Sequence, residues 1–266
     1  MRKYISFKGE QLYYEVKGKG RTIVFLHGFL ANGQFWNAIS KRLSKRFRVI
    51  VIDLPGHGQS APLGYVHSME LLAEAVKVVI QDVGVRKIIL IGHSMGGYVS
   101  MAFAEKFPDA LLGLILINST AKGDTDERKA SRKQLVKVLK QNKDKALQVL
   151  VPSLFKMKQR TTTWHIKKYL QWARACPLQG VIANIEGMII RKEREIVLKF
   201  APFPYLFLIG EFDPLFYVNE IKVEAMLGEN GRFELIEDSG HMSPLEREEQ
   251  TLKWIVKFEK RLKSQY

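Results

Sequence analysis

The stretch LIGHSMGG, residues 90–97, ends an apolar run and places one serine among three glycines. A strand that simply ends in a turn needs one glycine. Three glycines within six positions indicate a turn whose backbone leaves no room for a side chain at several positions. Gly92, Ser94 and Gly96 fit the pattern G-x-S-x-G, in which a strained turn between a strand and a helix exposes the serine hydroxyl. A Cβ atom two residues before or after Ser94 would clash within the turn, and we expect Gly92 and Gly96 to avoid this because they have none. We expect Gly97 to let the helix pack closely on the strand.

Short apolar runs alternate with amphipathic segments from residue 22 onward. Each run is rich in Ile, Leu and Val and is bounded by Gly, Pro or polar residues, as is typical of strands buried on both faces. The amphipathic segments 33–45, 68–82 and 97–107 predict helices that connect parallel strands by right-handed crossovers. Ahead of them, the residues on either side of Lys8-Gly9 predict an antiparallel hairpin. The predicted strands after the hairpin are 22–28, 47–58, 87–94, 111–119, 205–213 and 233–241.

The alternation stops after residue 120 and resumes near residue 201. Residues 125–200 carry helical patterning and contain no comparable strand-like run. We therefore predict an α/β fold with a mostly parallel eight-stranded sheet flanked by helices, whose core domain comprises 1–120 and 201–266. Residues 121–200 are predicted to form a helical lid inserted after the sixth strand. A final helix is expected over roughly 245–263.

The composition is that of an ordinary soluble globular protein, with 46% hydrophobic and 26% charged residues in a chain of 266. No apolar run is long enough to cross a membrane, and the N-terminus lacks the apolar region of a signal peptide. Cys176 is the only cysteine, which rules out an intrachain disulfide and argues against a thiolate zinc site. We expect a cytoplasmic protein without membrane contact.

Two candidate partners for Ser94 follow later strand-like runs. A serine hydroxyl is a weak nucleophile, so it needs a general base and an acid that orients the base. The segment LFLIGEFDP contains Asp213 near its end, and FELIEDSGH ends at His241. Because the carboxyl ends of parallel strands meet at one edge of a sheet, Ser94, Asp213 and His241 are predicted to form a catalytic triad.

These motifs resemble the α/β-hydrolase superfamily, and the resemblance covers nearly all of the chain outside 121–200. It implies that the backbone N–H groups of Phe29 and Met95 form the oxyanion hole. One donor then follows the nucleophile and the other lies in the loop after the third strand. We expect the side chains of these two residues to affect the shape of the pocket more than the chemistry. The matching stretches are FLHGF, VIDLPGHGQS, GHSMGG, GEFDP and DSGHMSPLE.

Other acids and histidines of the motif loops are weaker candidates for the triad. Asp53 follows a strand that precedes the nucleophile, so we interpret it as a turn-stabilising carboxylate. Some relatives carry the acid after the sixth strand, but here that loop has no carboxylate before Asp124. Glu211 is the one serious rival of Asp213. The remaining histidines neighbour turn glycines and are expected to hold loops by hydrogen bonds: His27, His57 and His93.

The predicted function is that of a serine hydrolase of the carboxylesterase type, acting on a small or medium ester or thioester. Neither a metal nor a cofactor is predicted, since no metal-ligand cluster and no G-x-G-x-x-G motif occur in the sequence. Within the resemblance, a serine nucleophile excludes dehalogenases and epoxide hydrolases, which use an aspartate. C–C bond hydrolases, aminopeptidases and perhydrolases of this fold stay open. A non-catalytic ligand-binding receptor that retains the triad stays open as well.

Positive charge is concentrated in the predicted lid. Of the net charge of +15, residues 121–200 supply +12, from 19 lysines and arginines against 7 acidic residues. The simpler interpretation is a solvated lysine-rich surface. A sharper hypothesis is that the lid attracts an anionic substrate or partner, such as an acyl group on an acyl carrier protein or on coenzyme A. No basic–aromatic recognition motif accompanies the charge, so nucleic-acid binding is not predicted.

The apolar residues of the lid are candidates to line an acyl pocket. Most of them must pack the interior of the lid itself, and we expect roughly a third to face the site. The candidates are Leu150, Leu154, Phe155, Met157, Trp164, Trp172, Met188 and Ile189.

Overall fold

The computed structural model describes residues 1–156 and 160–263 and contains one eight-stranded sheet. Its strands stand in the order β1-β2-β4-β3-β5-β6-β7-β8. The first two strands pair antiparallel, β2 also runs antiparallel to β4, and all other pairs are parallel. The predicted sheet is therefore confirmed. The strands are β1 (Arg2–Phe7), β2 (Glu10–Lys17), β3 (Thr22–Leu26), β4 (Arg48–Ile52), β5 (Ile88–His93), β6 (Leu111–Ile117), β7 (Tyr205–Gly210) and β8 (Gly231–Ile236).

The helices flank the sheet, and four of them lie between β6 and β7 in the chain. No helix in the described part of the chain combines the length and the apolar character needed to span a bilayer. The longest helix is interrupted at Asn142, where the backbone becomes extended (φ −156°, ψ 91°). The helices are α1 (Asn37–Leu43), α2 (Met69–Asp82), α3 (Met95–Lys106), α4 (Asp126–Ser153), α5 (Arg160–Ala175), α6 (Leu178–Ile189), α7 (Glu195–Lys199), α8 (Val218–Ala225), α9 (Ser243–Glu246) and α10 (Glu248–Lys263).

The core lies on both faces of the central strands. Every residue of β3, β5 and β7 is buried, which explains why these strands are continuous apolar runs without alternation. Full burial of one such Ile, Leu or Phe side chain contributes roughly 1.5–3 kcal/mol. At the edge of the sheet, Lys8 and Gly9 both have positive φ (51° and 86°), as the tight turn of a right-twisted hairpin requires.

The strands end earlier than the apolar runs predicted. The sequence pattern extended β4 to residue 58 and β6 to residue 119, whereas the structure ends them at Ile52 and Ile117. Asn118, directly after β6, has a left-handed backbone (φ 49°) that cannot continue a strand. The residues beyond the strand ends form loops at one edge of the sheet, and these loops carry the candidate site.

Candidate active site

Ser94 occupies the tight connection between β5 and α3. Its backbone angles (φ 52°, ψ −117°) lie where residues with a Cβ atom are strained, at roughly 1–3 kcal/mol. Hydrogen bonds to the main-chain groups of Ser94 hold this conformation. The Ser94 N–H donates to the Ile117 carbonyl at 2.9 Å. Its own carbonyl accepts from Gly97 N at 2.8 Å and from Ser119 Oγ at 2.9 Å. The turn thus presents the serine side chain at the sheet edge, as the sequence pattern predicts.

At each of the three glycines, a different neighbouring group leaves no room for a Cβ atom. A Cβ on Gly92 would collide with the Gly96 carbonyl, which is the predicted clash within the turn. A Cβ on Gly96 would lie 2.6 Å from the carbonyl oxygen of Leu26, at the end of β3. At Gly97 it would occupy the place of the Ser119 side chain, which bonds the Ser94 carbonyl. The glycines therefore seat the turn against β3 and against the loop after β6.

The structure brings Ser94, Asp213 and His241 into one hydrogen-bonded chain. His241 Nε2 lies 2.8 Å from Ser94 Oγ, and His241 Nδ1 lies 2.9 Å from Asp213 Oδ2. The side chains of Asp213 and His241 are 0% and 2% exposed, respectively. This is the spacing that a base needs in order to contact a nucleophile on one side and an orienting acid on the other.

Asp213 is held as a carboxylate by several donors. Besides His241, Asn118 Nδ2 donates to Oδ2 and the Leu215 N–H donates to Oδ1, both at 2.8 Å. Burial alone would raise the pKa of Asp213, but the His241 ring and these hydrogen bonds keep it below its usual value. Asn118 was not among the sequence candidates. Its position directly after β6 is the signal that could have identified it.

The loop that carries His241 is fixed through its backbone. The His241 N–H donates to the Leu154 carbonyl at 3.0 Å, and the His241 carbonyl accepts from His93 Nε2 at 2.8 Å. Burial lowers the pKa of His93 to about 3, so this ring stays neutral and Nε2 carries the donated proton. The role expected for His93, holding a loop, agrees with this geometry.

The rival acids have partners of their own. Glu211 accepts a hydrogen bond from the Asp238 N–H at 2.9 Å. Asp53 accepts from the N–H groups of Gly33 at 2.6 Å and Gln59 at 2.8 Å, which is a turn-stabilising arrangement. Burial raises the pKa of Asp53 to about 6 in spite of these two donors. His241 Nδ1 pairs with Asp213 and not with either rival.

The direction of the Met95 N–H is set by the peptide that joins Ser94 to Met95, because hydrogen bonds hold the Ser94 carbonyl of that peptide. The Ser94 carbonyl accepts from Gly97 N and Ser119 Oγ, so the plane of the Ser94–Met95 peptide is set. In a planar trans peptide the N–H is directed opposite to the carbonyl. As the first residue of α3, Met95 also has no partner for its N–H within the helix.

The Phe29 amide is oriented in the same manner. The carbonyl on the other side of its peptide, that of Gly28, accepts from His27 Nδ1 at 2.8 Å and from Ala31 N at 3.2 Å. The Phe29 carbonyl accepts from the Tyr169 hydroxyl at 2.6 Å. Across residues 1–156 and 160–263, neither the Phe29 nor the Met95 N–H donates to another protein group. Both amides are free to bind an anion.

A cavity of about 320 Å³ adjoins Ser94 and His241. Its lining is mostly apolar and combines loops at the sheet edge with residues of α4, α5 and α6. A larger groove of about 780 Å³ runs past Tyr13 and Asp53 and includes no member of the triad among its described residues. The described residues that line the smaller cavity are Phe29, Leu30, Ser94, Tyr98, Arg128, Ser131, Arg132, Leu135, Leu150, Leu154, Tyr169, Met188, Leu215, His241 and Met242.

Only part of this lining was predicted. Of the lid candidates, Leu150, Leu154 and Met188 line the cavity, while Trp164 is 62% exposed. The Met95 side chain is buried in the core and does not line the cavity, whereas Met242, next to His241, does. Three further candidates are buried but do not line the cavity: Phe155, Trp172 and Ile189. The last candidate, Met157, lies outside the described residues.

Comparisons with known proteins agree with the fold. A family model described as alpha/beta hydrolase fold matches residues 21–161. A thermophilic esterase from Thermogutta terrifontis, solved with malate bound, is 31% identical; the alignment covers 98% of this chain and 99% of that one, with a TM-score of 0.91. An enol-lactonase from Burkholderia xenovorans is 21% identical, with 96% and 99% coverage and a TM-score of 0.89, and shows the shared fold.

Curated relatives match over a shorter range. A pimeloyl-[acyl-carrier protein] methyl ester esterase from Yersinia enterocolitica is 36% identical over 112 residues, which are 42% of this chain and 42% of that protein. The chain spans about a third of the length of some of the curated relatives that it matches, and about two fifths of the length of others. Because the family model covers more than half of the chain and the esterase matches it from end to end, the chain belongs to the alpha/beta hydrolase fold family.

Proposed function

We propose that this protein is a serine hydrolase that cleaves a small or medium carboxylic ester or thioester through an acyl-enzyme intermediate. The observation that carries the proposal is the position of the His241 ring, 2.8 Å from Ser94 Oγ and 2.9 Å from Asp213 Oδ2, beside a mostly apolar cavity. The similarity to esterases supports the same class of reaction.

In the acylation step, Ser94 Oγ attacks the carbonyl carbon of the substrate while His241 Nε2 takes the hydroxyl proton. The carbonyl oxygen becomes an oxyanion, which the N–H groups of Phe29 and Met95 stabilise. When the tetrahedral intermediate collapses, the bond to the alkoxide or thiolate breaks. His241 delivers its proton to that leaving group, and Ser94 is left esterified.

In the deacylation step, water takes the place of the leaving group. His241 accepts a proton from the water as the oxygen attacks the acyl carbon, and then returns it to Ser94 Oγ when the acid leaves. Asp213 remains ionised throughout and stabilises the imidazolium that forms twice in each cycle. Its low pKa, maintained by His241, Asn118 and Leu215, suits this role.

Residues 121–200 are proposed to act as a lid over a core domain formed by 1–120 and 201–266. Three of the inserted helices supply cavity residues, among them Leu150, Tyr169 and Met188. The lid also contacts the catalytic loops directly, since the Leu154 carbonyl accepts the His241 N–H. A lid in this position excludes water from the acyl group and sets the size of the substrate.

Hydrolysis of p-nitrophenyl esters with acyl chains of increasing length tests the proposal. We expect turnover by the wild type, with the catalytic efficiency falling once the acyl chain exceeds the cavity. Ser94→Ala should lower kcat by about 10⁴-fold or more, because no other group can form the ester. A pre-steady-state burst of p-nitrophenol would report the acyl-enzyme. Undiminished turnover by Ser94→Ala would contradict the proposal.

A carrier-linked substrate is a second candidate, favoured by the charge of residues 121–200, which is +12. Exposed lysines such as Lys137 and Lys140 on α4 supply part of this charge. The relative from Yersinia enterocolitica is named for an ester on an acyl carrier protein, and an excess of positive charge on residues 121–200 would attract a carrier of net negative charge. Hydrolysis of a carrier-linked methyl ester should then weaken steeply with added salt, while the free methyl ester should not. Equal salt dependence of both substrates would exclude this candidate.

A further inference from the structure

The cavity beside Ser94 has a positively charged wall. Its described lining includes Arg128 and Arg132 and no aspartate or glutamate. Arg128, Ser131, Arg132 and Leu135 occupy positions i, i+3, i+4 and i+7 along α4, so they share one face of the helix. The same face therefore presents two guanidinium groups, a hydroxyl and one apolar side chain to the cavity.

Arg128 is held in place without a carboxylate. It is partly buried, one of its Nη atoms donates to the Leu215 carbonyl, and its guanidinium stacks 4.8 Å from the centre of the Phe216 ring. Within the described parts of the chain, no acidic side chain forms an ion pair with Arg128. A guanidinium carries five N–H donors, so donors remain for a ligand.

Arg132 belongs to a cluster that also keeps an excess positive charge. The Asp124 carboxylate is shared between Arg132, at 2.5 Å, and Arg191, at 2.6 Å. Burial alone would raise the pKa of Asp124, but the hydrogen bonds and charges of the two arginines hold it below its usual value. One carboxylate therefore balances two guanidinium groups. Arg132 Nη1 also points to the Met188 sulfur at 3.3 Å, a weak acceptor that a stronger one can replace.

The charged wall lies close to the triad. The Phe216 ring that stacks with Arg128 also lies 5.8 Å from the His241 ring, measured between ring centres. Leu215 connects the same two groups, since its carbonyl accepts from Arg128 and its N–H donates to Asp213. A substrate whose carbonyl reaches Ser94 can therefore place another group at Arg128 through a short chain.

A neutral ester in this cavity would shield Arg128 from water without providing a negative charge to pair with its guanidinium. Desolvation of an unpaired charge is unfavourable, whereas a carboxylate forms strong, charge-assisted and often bidentate hydrogen bonds with a guanidinium. The difference between the two cases favours substrates that carry an anionic group.

We propose that Arg128, with Arg132 and Ser131 on the same face of α4, forms an anion-binding subsite for the substrate of the Ser94 site. The preferred substrate is then an ester that carries a second, negatively charged group such as a carboxylate. This inference rests on the proposed hydrolase function and names the substrate class of that same site.

The test compares esters that differ in charge but are similar in length. In the first pair, monomethyl adipate carries a carboxylate on the acyl side of the ester and methyl hexanoate is its neutral counterpart. In the second pair, 4-acetoxybutanoate carries the carboxylate on the alcohol side and butyl acetate is its neutral counterpart. We expect the wild type to prefer the anionic member of one pair in kcat/KM. Arg128→Gln should reduce that preference by about tenfold or more, mainly through KM, since it removes a charge-assisted hydrogen bond.

Two matched variants separate charge from structure. Arg128→Lys keeps the charge and should retain much of the preference, although it loses the bidentate geometry. Lys133→Gln removes an exposed cation of the same helix that does not line the cavity, and should leave the preference as it is. The neutral ester of each pair reports any general damage that the substitutions cause to the Asp213 loop.

The outcomes distinguish the inference from the function on which it rests. Hydrolysis of neutral esters without preference for either anionic one, or a preference that Arg128→Gln does not change, would overturn the anion subsite alone. If the wild type hydrolyses none of the four esters, the proposed function fails. Calorimetric binding of monomethyl adipate then tests the subsite by itself: weaker binding by Arg128→Gln than by wild type supports it, and equal or absent binding overturns it.

Discussion

The side-chain amide of Asn118 donates a 2.8 Å hydrogen bond to Oδ2 of Asp213, the oxygen that also pairs with His241 Nδ1. Asn118 is itself fixed from both sides, since its N–H donates to the Leu208 carbonyl at 2.8 Å and its Oδ1 accepts from the Ser243 hydroxyl. The residue after β6 therefore orients the acid that follows β7.

Replacement of Asn118 by alanine should lower kcat by about tenfold with little change in KM, because one of the donors to the charged Asp213 is lost. Steady-state kinetics together with thermal unfolding would separate this positioning role from a loss of fold. Ser243→Ala, which only loosens the Asn118 amide, should act in the same direction with a smaller factor. An unchanged kcat in Asn118→Ala would show that Asp213 needs no such support.

The choice of Asp213 over Glu211 as the acid can be tested by amide substitutions. Asp213→Asn should lower kcat by about 10³- to 10⁴-fold, because an amide can no longer stabilise the imidazolium or fix its tautomer. Glu211→Gln keeps an oxygen that can accept the Asp238 N–H and should change kcat only a few-fold. If Glu211→Gln inactivates the enzyme and Asp213→Asn does not, the assignment of the acid is reversed.

Among the three glycines of the turn around Ser94, Gly96 is the one at which an added Cβ would meet only backbone atoms. A Cβ there would lie 2.6 Å from the Leu26 carbonyl oxygen and 2.7 Å from that of His27, so β3 or α3 must shift. Gly96→Ala should destabilise the protein by about 1–3 kcal/mol in urea unfolding and reduce turnover. Gly123→Ala is the matched control, since its Cβ would rest 3.5 Å from the Arg191 carbonyl, an ordinary contact. Equal unfolding midpoints for both variants would contradict this account of the turn.

Glu224 is expected to make the free energy of unfolding depend on pH. It is 1% exposed, accepts from the Thr120 hydroxyl at 2.5 Å and from the Ala121 N–H, and burial raises its pKa to about 7 from a usual 4.5. Between these two values the folded state binds more protons than the unfolded state, so the free energy of unfolding falls as pH rises through this window. The decline from one such group is at most about 1.4 kcal/mol per pH unit.

Glu224→Gln should therefore flatten the decline in stability across that window, as measured by urea unfolding at several pH values. Glu220→Gln, at an exposed position of the same helix, is the control and should keep the wild-type slope. The same slope in all three proteins would mean that Glu224 is ionised in the fold at the lower pH values.

The sequence predicted a mostly parallel eight-stranded sheet and the strands after which Ser94, Asp213 and His241 lie. Buried parallel strands impose continuous apolar runs, and G-x-S-x-G reflects steric limits that hold within a few residues of the turn. Such local constraints can be recognised in one sequence. The exact ends of the strands could not, because Asn118 ends β6 through a backbone conformation and not through polarity.

The lining of the cavity was predictable only in part. Leu150, Leu154 and Met188 were anticipated as apolar residues of the inserted helices. Arg128 and Arg132 were counted only as part of a general positive charge, although their spacing already placed them on one helix face. Which face of α4 meets the sheet edge depends on contacts between distant segments, such as that between Arg128 and Leu215, and these have no local signature.

Labelling with a fluorophosphonate, read by intact-protein mass spectrometry and peptide mapping, tests the central claim that Ser94 is an activated nucleophile. The wild type should gain one phosphonyl group, located on Ser94. Ser94→Ala and heat-denatured wild type should gain none, and His241→Ala should react far more slowly because it lacks the base. Absence of labelling in the native wild type, or equal labelling of Ser94→Ala, would contradict the claim.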